Sequence, residues 1–418
     1  MDALTLAQPV LVLGAIVPTA LLGRWAARRL GQPEVVGEIS VCLLLGVLLV
    51  TRFGWGGAHS PGKDVLAELG HLGLALFLVG AAHEIRGGAS RLSGRAVAWL
   101  TVGSALLPMA AGALLAVWVL RYGGPRLRGG ADTPALVLLL IVSLAVTAVP
   151  VLAGILKDRR MQHTETGRLA MASAVTIDAV TWVLLALSVA LATGDGGVGR
   201  AGAVLACGAL GAYAVRRLAA AAPVRTAAAA HPAAVLVLVA AAAFGAATAT
   251  GQLGLTEVFG AALMGLALPA DGERGPFTRA ADTLGRAGRV ALPLLFTITG
   301  TALAVGPDAV FSWPAVALGT GLAIAGKLIG SYLGARAGAR PHREGLRLAA
   351  LMNTRGLTEI VVLQTGYSAG ILTSGLYLAL IIMALITTAL SGPLLWVADR
   401  RTRPVPVGAE PTLLPAER

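Results

Sequence analysis

Thirteen mostly apolar stretches, each near the roughly 20 residues a helix needs to cross a bilayer, follow one another along the 418-residue chain. They run at 5–23, 34–50, 65–85, 96–120, 134–156, 167–192, 199–215, 232–250, 252–268, 287–306, 311–334, 346–367 and 371–397. Charged residues make up only 13% of the chain, against roughly 25% in soluble domains. Such a chain has too little polar surface to cover itself in water. The expected fold is an all-α polytopic membrane protein. The segments between stretches are short, so no soluble domain is expected. Beyond a membrane domain at 1–398, residues 399–418 carry Pro404, Pro406, Pro411 and Pro415 and are expected to form a disordered cytoplasmic tail. No basic residue precedes the first stretch, whereas Arg24, Arg28 and Arg29 follow it, so it does not read as a cleavable signal peptide.

The net charge of +12 comes from 33 Lys and Arg against 21 Asp and Glu. Its placement decides its meaning. With the N-terminus outside, the segments on the inner face carry 25 of the basic residues and the outer segments carry 6. Lys and Arg concentrate in cytoplasmic loops, so the excess sets orientation, N-terminus out and C-terminus in, across the cell membrane. It is not a nucleic-acid surface. Cys42 and Cys207 lie in apolar runs and offer neither a disulfide framework nor a metal spacing.

An ionisable group inside the hydrocarbon is costly, and each one is a functional candidate. Asp178 lies eleven residues into the sixth stretch, about 16 Å along a helix axis, beyond the reach of a short side chain to either surface. The other reading of Asp178 is a neutral acid capping a neighbouring helix. Lys327, Arg355 and Glu359 are the remaining deep charges. Arg355 and Glu359 are four apart and share a helical face, as a structural ion pair or as transport groups. Lys327, roughly 12 Å from the inner end of its helix, is either a partner of Asp178 or a snorkelling lysine. Glu257 reads as interfacial, Glu34 and Glu38 as helix N-terminal carboxylates, and His71 and His83 as hydrogen-bonded packing residues.

Two stretches are interrupted. The fifth carries Ser143, Thr147 and Pro150, and the twelfth reads Asn353-Thr354-Arg355-Gly356. Unwound backbone at mid-membrane survives only where protein or a cavity satisfies it. Paired interruptions in two halves point to a secondary transporter's binding site. The fifth and twelfth stretches differ by seven, which maps the first six onto the last six as inverted repeats, about 1–192 and 232–398. Asp178, with Thr147, Thr176, Asn353 and Thr354, then forms a polar site where one carboxylate takes either a proton or a small cation. Oxygen ligands suit hard cations. Alternating exposure of that site gives cation/proton exchange.

Several motifs resemble the Kef/CHX-type branch of the monovalent cation:proton antiporters, whose membrane domain is of the sodium/hydrogen exchanger kind. They are Gln32-Pro33-Glu34-Val35-Val36-Gly37-Glu38-Ile39, Leu76-Phe77-Leu78-Val79-Gly80, Asp178 with Trp182, and Leu351 through Glu359. Phe259-Gly260-Ala261 through Pro269, Gly326-Lys327 and Ala384 through Thr388 also fit, so the resemblance covers nearly the whole membrane region. It implies an inverted-repeat antiporter fold with a dimerising scaffold, a moving six-helix core and broken helices crossing at 143–150 and 353–357. It carries the family's essential aspartate onto Asp178. Three positions depart from the pattern. Ile177 replaces the usual Asp, Asn or Gln, Gly300-Thr301-Ala302 lacks a following base, and Ala82-His83-Glu84 lacks the first carboxylate. One acid in place of two predicts electroneutral 1:1 exchange of sodium or potassium for protons.

No Kef-type nucleotide-binding domain is recognised, so gating of that kind is not expected. A homodimer in the lipid bilayer is expected. A less polar pocket, given Ile177 and Ala302, suits the alternative of a small organic substrate exported against protons; a channel or non-transporting sensor is the third reading. No paired catalytic acids, metal cluster, nucleophile–base pair or phosphate loop is present in the sequence, so neither an enzyme nor a cofactor is expected.

Overall fold

The computed structural model describes residues 3–30, 32, 34–55, 62–87, 93–162, 164–192, 197–253, 257–269, 271–272, 275–305 and 312–400. Every regular element among them is a helix. The first six apolar stretches become α1 (Ala3–Arg29), α2 (Glu34–Phe53), α3 (Lys63–Gly87), α4 (Gly94–Tyr122), the short α5 (Gly124–Arg128), the pair α6 (Thr133–Ala145) and α7 (Val149–Asp158), and α8 (Glu165–Ala192). Then come α9 (Gly197–Ala220), α10 (Ala222–Ala230), α11 (Pro232–Gln252), α12 (Glu257–Ala267), α13 (Pro276–Val305), α14 (Trp313–Ala337), the pair α15 (His342–Met352) and α16 (Leu357–Ser368), and α17 (Ser374–Arg400). Eight helices among the described residues are long and apolar enough to cross a membrane.

Three regions differ from the sequence reading. Residues 276–286, expected as loop, open α13 instead: Phe277, Ala280, Ala281 and Leu284 form a buried stripe, while Asp282 and Arg286 stand on the exposed side. An apolar stripe at helical spacing holds the segment as helix despite its charges. Likewise, α9 and α10 fill most of the expected loop at 216–231. Asp399 and Arg400 belong to α17. The rest of the expected tail lies outside the described residues, as do Pro33 and the side chains of Glu84, Pro150, Glu257 and Ala302.

The neighbours come in matched pairs. α1 packs on α2 as α11 does on α12; α2 lies on α13 as α12 does on α3; α4 lies on α6 and α8 as α14 does on α15 and α17. Each pairing recurs seven stretches later, with the counterparts α3 and α13, and α4 and α14, packed on each other. The two halves thus repeat one set of helix pairings. Between helices in lipid there is no water to expel, so association relies on close approach. Where α4 crosses α14, a Cβ added at Gly103 would collide with the Gly330 carbonyl, and one at Gly330 with that of Gly103. Only glycines permit that crossing, and it lies one turn from Lys327.

Candidate functional site

The expected breaks in stretches five and twelve are both present, and they cross. α6 ends at Ala145 and α7 restarts at Val149; α15 ends at Met352 and α16 restarts at Leu357. The two gaps are joined by a main-chain hydrogen bond, from the Ala148 amide to the Thr354 carbonyl, at 3.1 Å. Pro150 does not mark the break itself. It is the second residue of α7, in the first turn, where a missing N–H removes no helix bond. Gly356 turns the second gap with φ 142° and ψ −121°, a conformation that side chains exclude.

A helix ending at mid-membrane leaves four carbonyls without partners, and at α6 each one is accounted for. The Val146 amide takes Val142 O at 3.1 Å. Arg355 takes two more, Nη1 donating to Ser143 O at 2.9 Å and Nη2 to Leu144 O at 2.6 Å. Lys327 Nζ takes Ala145 O at 2.6 Å. Two cations thus sit at the negative end of the helix dipole. Both are completely buried, as is Glu359, whose Oε1 accepts from Arg355 Nη1 at 2.8 Å.

Lys327 has two further acceptors, Thr147 Oγ1 at 2.6 Å and Ser104 O at 3.1 Å. The second follows from the sequence of α4. Pro108, inside that helix, has no N–H to offer the carbonyl four residues back, and that carbonyl is Ser104 O. Ser104 Oγ in turn donates to Ser331 Oγ at 2.8 Å, one turn past Lys327.

Asp178 lies beside this crossing on α8. The main chain of Thr147 hydrogen-bonds to its carboxylate, and its Oδ1 has no protein partner. It borders a cavity of about 240 Å³ shared with Trp182 of α8, Val149 of α7 and Thr358 of α16. Val149 and Thr358 stand in the first turns of their half-helices, so the acid faces two positive dipole ends. Thr358 Oγ1 is a second buried oxygen without a protein partner.

The remaining predicted site residues divide. Thr176 lines the cavity, though its hydroxyl is spent on Ala172 O at 2.9 Å. Asn353 and Thr354 do not line it. Asn353 Nδ2 donates to Thr387 O at 3.3 Å, Thr354 Oγ1 to Leu351 O at 2.8 Å, and both side chains secure the broken segment. Ser143 Oγ donates to Leu140 O at 3.1 Å within its own helix. Ile177 is buried against α15 residues and away from the cavity. Thr358 and Ser104 were not singled out from the sequence. The proline four residues after Ser104 was the available signal; for Thr358 it was position alone, in the first turn after the glycine break.

Comparison with known proteins decides the family. Residues 17–397 match the family model for the transmembrane sodium/hydrogen exchanger. The chain belongs to the sodium/hydrogen exchanger family. Within it, the chain is 32% identical over 409 residues to Cation/H(+) antiporter 20 of Arabidopsis thaliana, covering 90% of this chain and 47% of the plant protein. It is 29% identical to the Na(+)/H(+) antiporter NhaS4 of Synechocystis, covering 94% and 96% of the two chains. It is 27% identical to K(+)/H(+) antiporter 1 of Saccharomyces cerevisiae, covering 87% and 43%. The chain spans about half the length of the plant relatives it matches. The sodium proton antiporter MjNhaP1 of Methanocaldococcus jannaschii shares the fold, with a TM-score of 0.61 at 16% identity, over 95% of this chain and 99% of that one.

Proposed function

We propose that this exchanger-family chain is a secondary active transporter that swaps a monovalent cation, sodium or potassium, for protons by alternating access at Asp178. The observation that carries the reading is the buried Asp178 Oδ1, partnerless beside two broken helices that cross. A carboxylate held this way accepts one proton or one cation, and each excludes the other. The four deep charges, Asp178, Glu359, Lys327 and Arg355, balance when Asp178 is ionised. Either occupant raises the site by one charge, so one-for-one exchange is electroneutral. The Na(+)/H(+) and K(+)/H(+) relatives support the choice of cargo.

The same reading has thirteen crossings, repeats at about 1–192 and 232–398, the N-terminus outside, the C-terminus cytoplasmic, and a homodimer in the cell membrane with no enzymatic activity. It is tested in proteoliposomes by cation-driven proton flux. Asp178→Asn should abolish the flux; identical flux in variant and wild type overturns the reading.

One observation favours a second reading, export of a small organic substrate against protons. Nine of the twelve residues lining the Asp178 cavity are apolar, whereas a stripped cation needs several oxygens. Proton-dependent flux of a metabolite, with no response to alkali cations, would select it.

A further inference from the structure

A second, larger cavity of about 650 Å³ adjoins the Asp178 cavity, the two sharing Ala81 and Val149 as lining. Its walls come from the last turns of α1, the second half of α3, α7 and the first half of α13. These are the helix ends that lead into the arginine-rich segments. It forms a vestibule beside the Asp178 cavity.

The charge of this vestibule is the reverse of what a cation would seek. Arg24, Arg286 and Arg289 line it, against the single carboxylate of Asp282. Arg24 is committed, its Nε and Nη2 donating to Glu38 Oε2 and Oε1 at 2.7 and 3.0 Å. Arg286 and Arg289 are not. They stand three apart on one face of α13, and neither is in an ion pair with another described residue. The Arg289 guanidinium carbon lies 5.7 Å from the Phe77 ring centroid, a cation–π distance. Among the described residues, Arg286 Nη2 has a long bond, 3.4 Å, to Thr283 Oγ1 on its own helix.

We propose that this vestibule binds a phosphate-bearing anion between Arg286 and Arg289. Two guanidinium forks match a phosphate's charge and its several acceptor oxygens, and such pairs are the strong, bidentate kind. The volume exceeds what the phosphate alone needs and admits an organic substituent. The occupant sits on the route to Asp178, where it obstructs access. That consequence rests on the exchange reading; the binding does not.

The phosphate belongs either to a lipid headgroup or to a soluble ligand, and one experiment with two arms separates them. Thermal unfolding of the purified full-length protein is followed in neutral detergent with inorganic pyrophosphate, against sulfate at equal ionic strength. It is followed again in nanodiscs of phosphatidylcholine with and without phosphatidylglycerol. A saturable rise in unfolding temperature in the first arm assigns a soluble ligand, and one in the second a headgroup. The double variant Arg286→Gln/Arg289→Gln should weaken the apparent affinity about tenfold or more, as loss of charge-assisted bonds implies. Arg216→Gln/Arg225→Gln, exposed arginines outside the vestibule, should leave it unchanged. No rise in either arm overturns the proposal, and so does a rise that the Arg286/Arg289 variant retains or that the control variant loses equally. No transport is measured, so failure here is distinct from failure of the exchange reading.

Discussion

The Lys327 ammonium donates to the Thr147 hydroxyl at 2.6 Å, and the Thr147 main chain hydrogen-bonds to the Asp178 carboxylate. A single unwound residue therefore connects the buried cation to the buried acid. Thr147→Ala keeps the main-chain bond and removes one of three acceptors from Lys327. The expected cost is about 1 kcal/mol of stability, read as a modest drop in melting temperature, with cation binding retained. Thr147→Ser should restore the temperature.

Lys327→Met is a harsher change. It leaves Ala145 O and Ser104 O without their shared donor in a dry interior and removes one of the two charges opposing Asp178 and Glu359. A loss of roughly 3–5 kcal/mol is expected, the range for breaking buried charge networks. Thermal unfolding in detergent checks it, and a melting temperature equal to wild type would contradict the capping role.

Arg355 and Glu359 separate a capping role from an ion pair. Glu359→Gln keeps an oxygen for Arg355 and leaves the bonds to Ser143 O and Leu144 O in place. Arg355→Met removes all three bonds. The melting temperature should therefore fall further in Arg355→Met than in Glu359→Gln. Equal losses would mean that the pair, rather than the cap, is what Arg355 provides.

Gly356→Ala tests the second break. The residue must adopt a backbone conformation essentially reserved for glycine, at about 1–3 kcal/mol, and its Cβ would meet Val151 Cγ2 at 2.9 Å. Stability and transport should both fall. Adding Val151→Ala removes the collision but not the backbone strain, so the double variant should recover only in part.

How far the sequence reaches is seen in these same residues. Apolar length determined the helices, because a chain in lipid has few other ways to satisfy its backbone. Arg355 and Glu359 do pair, but not across a shared helical face as their spacing of four suggested, because Arg355 stands in the gap between α15 and α16. The partners of Lys327 did not follow from spacing, since two of its three acceptors are main-chain oxygens some 180 and 220 residues away in sequence. Pro150 drew attention to the right stretch and to the wrong residue: the gap lies at Val146–Ala148, and the proline lies in the first turn of the helix after it. Asn353 and Thr354 read as ligands because they are polar at mid-depth, but an interrupted helix needs polar side chains simply to hold its own loose ends.

On the exchange reading, Asp178 holds either a proton or a cation and never both. The most direct measurement is proton release from purified protein in weakly buffered solution on adding sodium or potassium chloride, with choline chloride as control. About one proton per chain should be released by the transported cation, and none by choline or from Asp178→Asn. Cation binding without proton release, or equal release from Asp178→Asn, would contradict the account.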